Sequence, residues 1–254
     1  MKKFTILVYS VMSYWIFFAT FLYTIGFIGN LVVPKSIDSV PTMPLGPALA
    51  INVGLLGLFA VQHSLMARKF FKQWITMYIP QAAERSTYVL ASSLALIALV
   101  VFWQPLGSVI WQVESTVATA VIYGLFALGW MLVLVSTFAI NHFDLFGLRQ
   151  AWISFSGRVY KPLEFRLPVL YRIVRHPLYC GFFIAMWATP TMTVAHLVFA
   201  GLASAYIVIG TLLEERDLRA DHPEYAAYAR EVPRFIPRLT RTNKISTQNP
   251  ATSA

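Results

Sequence analysis

The sequence predicts an all-α fold: a polytopic integral membrane bundle of five to six transmembrane helices, finished by a C-terminal helical hairpin and a cytoplasmic tail. Three observations carry that prediction. Of 254 residues, 57% are hydrophobic and only 12% charged, whereas soluble domains carry about 25% charged residues. Apolar runs of the length a bilayer demands, about 20 residues, recur along the chain. Lysine and arginine fall almost wholly in alternate loops, which is the asymmetry that orients membrane helices.

Lys2 and Lys3 precede a first apolar run from Phe4 to about Ile28. It begins as a signal peptide does, but it outruns a ~7–15 residue apolar core and has no small-residue cleavage site, so it reads as an uncleaved span. Residues 30–47 carry four prolines and little charge, Lys35 against Asp38, and form a loop on the far side. Pro47 to about Met66 is a second span. It leads into Arg68-Lys69-Phe70-Phe71-Lys72, which with Trp74, Tyr78 and Arg85 reads as an interfacial stretch. Thr87 to Trp103 is a third span, ended by Gln104-Pro105, and Thr116 to Ile140 is a fourth. Asn141 to Arg175 is long, polar and basic. The apolar run from Pro177 to Leu213 is too long for one crossing and suits two helices that turn near Thr189-Pro190-Thr191. The chain thus divides into a four-span bundle (1–140), a functional region (141–239) and a disordered tail (240–254) rich in Thr, Asn, Ser, Gln and Pro.

Orientation follows from the basic residues. Loops 29–46 and 104–115 hold only Lys35, whereas 67–86 holds Arg68, Lys69, Lys72 and Arg85. Residues 141–175 add Arg149, Arg158, Lys161, Arg166, Arg172 and Arg175. The positive-inside rule puts both basic loops in the cytoplasm, and six crossings would return both termini there. The net charge of +9 points to an anionic lipid surface and not to nucleic acid, because the basic residues flank apolar spans and form no Lys/Arg-rich tract. A single cysteine, Cys180, excludes an internal disulfide framework, and the scattered histidines have no metal-ligand spacing. Oligomeric state is not legible.

The hairpin is opened by Arg175-His176-Pro177-Leu178-Tyr179-Cys180-Gly181 and closed by Glu214-Glu215-Arg216. A hairpin brings these two polar ends to the same membrane face. Charges at the edge of hydrocarbon are costly unless they pair or hold something. Taken alone, the residues allow two readings: arginine anchors and a tyrosine belt, or a binding site.

The order continues with Leu218, Tyr225, Tyr228 and Val232-Pro233-Arg234-Phe235-Ile236-Pro237. This resembles the carboxy-terminal signature of the integral-membrane methyltransferases that include isoprenylcysteine carboxyl methyltransferase and the phospholipid methyltransferases. The likeness covers Tyr171 to Pro237, and His222 departs from it, standing where that pattern has glycine. It implies an S-adenosylmethionine pocket over the hairpin. In such a pocket Glu214 and Glu215 accept from the ammonium or the ribose hydroxyls, and Arg175 or Arg234 pairs with the carboxylate. His176 lies with the cofactor. Pro177 frees the N–H groups of Leu178 and its neighbours at a helix start. Tyr179, Tyr225, Tyr228 and Phe235 flank the adenine or face the sulfonium, and Gly181 admits a close approach of backbone or cofactor.

Residues 141–150, Asn141-His142-Phe143-Asp144-Leu145-Phe146-Gly147-Leu148-Arg149-Gln150, and residues 61–68, Val61-Gln62-His63-Ser64-Leu65-Met66-Ala67-Arg68, are similar to the methanethiol S-methyltransferase branch of that superfamily. The branch implies a small thiol as substrate and dimethyl sulfide as product, in a bacterial inner membrane with the site facing the cytoplasm. Thiol methylation needs a thiolate, so a base is required. His142 or His63 is the expected base or relay, with Asp144 orienting His142 and Arg149 anchoring the loop. A lipid-like acceptor, such as a prenylcysteine carboxylate or a phospholipid amine, is the alternative, as is a membrane protein without enzymatic activity.

Overall fold

Helix α1 runs from Lys2 to Gly29, followed by α2 (Leu45–Ala67), the short amphipathic α3 (Lys69–Ile75) and α4 (Gln81–Phe102). Strand β1 (Val109–Gln112) precedes α5 (Thr116–Ile140), which Ser115 caps by accepting from the Ala118 N–H. The former loop region holds α6 (His142–Leu145), α7 (Leu148–Phe155) and a single 3-10 turn at Val169–Arg172. The hairpin is α8 (Pro177–Trp187), strand β2 (Thr191–Thr193) and α9 (Val194–Asp221), and α10 (Tyr225–Glu231) follows. This computed structural model describes residues 2–161, 168–221 and 224–238; Arg166, His222 and the expected disordered tail lie outside them.

Five helices among the described residues, α1, α2, α4, α5 and α9, are long and apolar enough to cross a bilayer. The span edges follow the hydrophobic runs, except that α4 starts at Gln81, just after Pro80, and α9 continues past Leu213 to Asp221. The turn near residue 190 is present, but the hairpin's arms are unequal. Its first arm, α8, has 11 residues and its second, α9, has 28. At 1.5 Å per residue α8 is only about 16 Å long, half a hydrocarbon core.

The short arm is held by α5 and not by α9, against which it packs far less. The α5–α8 crossing is backbone on backbone. A Cβ on Gly181 would stand 2.7 Å from the Gly129 carbonyl oxygen and 2.8 Å from the Val133 nitrogen, and one on Gly129 would stand 2.7 Å from the Ala185 nitrogen. Where lipid is as apolar as the helices, such close approach through small residues is what binds them.

At the far end of the bundle, the loops expected to be irregular form an antiparallel ribbon, with Val109 opposite Thr193 and Gln112 opposite Thr191. Asp38 is tied to it, accepting from the Thr193 hydroxyl and, at 2.7 Å, from the Asn30 side chain. The fully buried Asn52 locks loop 104–108 by bonding both the N–H (2.8 Å) and the carbonyl (2.6 Å) of Gln104. Buried Phe27, Leu99, Trp103 and Phe199 fill this half.

At the other end, Arg68, just after α2, meets Asp217 of α9 at 2.7 Å, and Arg85 of α4 donates through Nε to the Leu145 carbonyl at 3.0 Å. The segments after α2, after α5, before α8 and after α9 therefore share one end of the bundle.

Candidate functional site

Glu215, a fully buried carboxylate near the end of α9, is the hub of that polar end. Its Oε1 accepts from Arg175 Nε (2.9 Å) and Nη2 (2.8 Å), and from Arg234 Nε (3.0 Å). His176 Nε2 lies 3.0 Å from the same oxygen, while Oε2 accepts from Arg234 Nη2 (2.8 Å) and Arg219 (3.3 Å). A carboxylate removed from water survives only with pairing of this quality. Arg175 is itself used up, its Nη1 donating to the carbonyls of Ala229 (2.7 Å) and Val232 (2.6 Å). The backbone completes the seam, with Arg175 N–H on the Pro233 carbonyl (2.8 Å) and His176 N–H on that of Arg234 (3.2 Å). Arginine-histidine turn, Glu215 and the Pro233-Arg234 segment are thus one brace on one face.

Glu215 and Arg175 are engaged with each other, and together they fasten the segment after α9 onto the start of α8. The tyrosines of that segment behave likewise. Tyr225 is buried, with its phenol pushed up to about 12 by burial, and Tyr228 donates to the Tyr171 carbonyl at 2.6 Å. Gly181 serves the crossing with α5. Pro177 is buried at the first position of α8, and Leu178 packs on the core. Phe235 leans on Phe183 (5.2 Å between centroids) and on the His176 ring (5.9 Å). Burial holds the His176 imidazole below its ordinary range, against the opposing pull of Glu215.

Glu214 remains open. It is exposed, and among the described residues its Oε2 takes only the Tyr179 hydroxyl, at 3.3 Å. On the Glu215 side, Arg234 keeps an exposed edge and Arg219 is half exposed. The Glu214 carboxylate can therefore accept from an ammonium or a hydroxyl pair without breaking the brace.

Adjoining Tyr179 is a second cluster inside the membrane-spanning helices. Tyr88 and Tyr206 lie within electrostatic reach of Tyr179. His63 stacks on Phe59 (5.2 Å, 19°), its Nε2 is 2.8 Å from the Tyr88 hydroxyl, and its Nδ1 is 3.1 Å from Ser92 Oγ. Next to it, Ser64 bonds the Tyr206 hydroxyl of α9 at 3.0 Å. Sequence reasoning chose His63 but missed Arg85, Tyr88, Ser92 and Tyr206. The signal was there: Arg85, Tyr88 and Ser92 fall at i, i+3 and i+7, one helical face of polar residues within a span.

His142 lies elsewhere, on the α1 side of the bundle. Its ring stacks on Phe138 (4.3 Å, 7°), with Nε2 2.9 Å from the Tyr14 hydroxyl and Nδ1 2.9 Å from Thr137 Oγ1. Burial holds its imidazole below the usual range. The expected His142–Asp144 pair does not form. Asp144 is bonded by Arg149 (2.7 Å) and by the Tyr160 hydroxyl (3.2 Å), and Arg149 also reaches the Lys161 carbonyl (3.2 Å). Arg149 does anchor the loop, through Asp144. Among the described residues no group of His, Cys, Asp and Glu has a metal-holding arrangement.

Comparison with known proteins adds the family. The family model described as NnrU protein matches residues 52–214. A methanethiol S-methyltransferase of Crocosphaera subtropica is 54% identical over 91% of this chain and 91% of its own. Proteins of the same name from Mycobacterium tuberculosis (47%, covering 93% and 98%) and Pseudomonas deceptionensis (52%, covering 92% and 90%) are similarly close. No solved structure matches.

Proposed function

We propose, because the chain belongs to the NnrU protein family and to the methanethiol S-methyltransferases, that this methyltransferase moves a methyl group from S-adenosylmethionine to methanethiol and releases dimethyl sulfide. The observation that carries the reading is Tyr179, which donates to the open Glu214 carboxylate and lies within electrostatic reach of Tyr88 and Tyr206.

The residues fit the donor. Glu214 and Tyr179 would hold its ammonium or ribose hydroxyls, the outer edges of Arg234 and Arg219 its carboxylate, and Phe235 or Tyr179 would lie against its flat or cationic parts. When bound, S-adenosylmethionine supplies an activated methyl on a sulfonium centre. The chain's own part is to orient the thiol and take its proton. His63 is the base we assign, because it sits beside Tyr88 and Ser92, whereas His142 is enclosed between α1 and α5 and holds those helices together. A thiol with one methyl offers nothing but sulfur and a small apolar body, so selectivity comes from a small site within the helices. By the basic-loop rule the face is cytoplasmic, at a bacterial inner membrane.

The test is to incubate the purified protein in detergent with methyl-labelled S-adenosylmethionine and either methanethiol or a farnesylated cysteine analogue. Labelled dimethyl sulfide in the headspace is expected. Labelled ester from the analogue with no volatile product would reassign the acceptor.

A further inference from the structure

We propose that Tyr88 is the catalytic residue that touches the acceptor thiol, passing the thiol's proton to His63. This rests on the methyltransferase reading and deepens it.

The hydroxyl of Tyr88 stands between the imidazole and the rest of the site. It is 2.8 Å from Nε2 and 3.2 Å from Nδ1 of His63. Ser92 Oγ sits 3.1 Å from Nδ1; in the tautomer that carries its proton on Nδ1, that proton goes to Ser92 and Nε2 accepts from Tyr88. With Phe59 stacked on one face of His63 and its nitrogens occupied, the imidazole has no bare nitrogen for substrate. A thiol can reach it only through the phenol. The Tyr88 oxygen keeps lone pairs free for that donor.

Two neighbours support a thiol at this position. Gln62 turns its Nε2 to Met66 Sδ (3.0 Å) and Ser92 Oγ (3.4 Å), and its Oε1 is buried with no partner among the described residues. The cluster is one hydrogen-bond donor short, beside a soft thioether. A methyl thiol is small enough to enter here; its one S–H is committed to Tyr88, and its soft sulfur suits the neighbouring Met66 thioether. Arg85 places its guanidinium 5.6 Å over the Tyr88 ring, where a cation favours negative charge on oxygen or sulfur. The other titratable neighbours of Tyr88 are Tyr206, Tyr179 and Glu84, with Lys72 near Arg85 and Arg68 near Tyr206 adding positive charge to the cluster.

The step balances. The S–H bond breaks and its proton goes to Tyr88 Oη as the Tyr88 proton moves to His63 Nε2. The sulfur's electron pair forms the new S–CH3 bond, and the donor's C–S bond breaks with its pair staying on the donor sulfur. The imidazolium then loses its proton to solvent.

The experiment uses the full chain with Tyr88→Phe, His63→Gln and the double variant. Retention of labelled S-adenosylmethionine, measured by equilibrium dialysis, should be unchanged in all three. Turnover with methanethiol near pH 7 should fall by roughly 100-fold in Tyr88→Phe. The deficit should shrink about tenfold per pH unit as solvent supplies thiolate. It should be small with 2,2,2-trifluoroethanethiol, which ionises more readily. The double variant should lose no more than either single, as two members of one relay do. A loss equal at every pH and for both thiols, losses that add, or turnover within about threefold of wild type would overturn the relay. If Tyr88→Phe fails to retain cofactor, the same pH and thiol dependence is read from His63→Gln. Absence of dimethyl sulfide from the wild type would instead sink the methyltransferase reading.

Discussion

Arg175 and Glu215 are 40 residues apart in the chain, yet Arg175 Nη2 lies 2.8 Å from Glu215 Oε1 across the mouth of the hairpin. The pair is buried, with side-chain exposures of 9% and 1%. It is also the point where the segment after α9 is sewn back onto α8.

Glu215→Ala should therefore be a folding lesion before it is a binding one. It strands Arg175 and the His176 imidazole without their anion, which for a buried pair costs roughly 3–5 kcal/mol. Thermal unfolding in detergent should show a lowered midpoint, and limited proteolysis should cut between residues 222 and 238. An unchanged midpoint would mean the brace contributes nothing.

Glu214→Ala should separate from it. Glu214 is exposed and gives up only the Tyr179 hydroxyl bond, so stability should stay within about 0.5 kcal/mol of wild type. Cofactor affinity should fall at least tenfold, about 1.4 kcal/mol, if the carboxylate takes an ammonium. Dialysis against labelled S-adenosylmethionine decides it. Full affinity would move the donor site away from the hairpin.

Gly181→Leu should disrupt the fold without touching any polar group. Its Cβ would stand within 2.8 Å of α5 backbone atoms, which cannot move aside as a side chain can. Overpacking of this kind costs about 3 kcal/mol or more, and Gly129→Leu should do the same from the other helix. Size-exclusion behaviour and the unfolding midpoint report it.

Acid should weaken the protein. His142 and His176 are both held below the ordinary imidazole value of 6.5, chiefly by burial. A folded state that resists protonation is disfavoured where the unfolded chain takes up protons. The stabilisation is complete above about pH 6.5 and is lost as pH falls through the range below it. Unfolding midpoints should drop between about pH 7.5 and pH 5, and less steeply in His142→Leu. A flat profile would contradict neutral buried imidazoles.

How much was legible depended on the range of the interaction. Hydrophobic runs gave α1, α2, α5 and the hairpin, because the length of a span is set by the bilayer and the run must match it. The Arg175-His176 and Glu214-Glu215 clusters were legible as a unit, since a hairpin returns its ends to one face. The division of labour between Glu214 and Glu215 was not. Both are acidic and adjacent; which one faces inward depends on where Arg234 arrives, and that lies in the packing. His142 and Asp144 were chosen as partners by proximity in sequence, but Asn141 caps α6 through the Asp144 N–H, with 3.1 Å between them, and the turn sends the two side chains apart.

By itself, then, the sequence determined a membrane helical bundle with a hairpin and a polar face, because apolar length and basic asymmetry are local, additive signals. Only the tertiary structure decided that α8 leans on α5 through two glycines, that Glu215 is spent on the brace while Glu214 stays open, and that His63 meets Tyr88. Those outcomes turn on which side chains reach the same few ångströms, and a linear pattern carries no such distance.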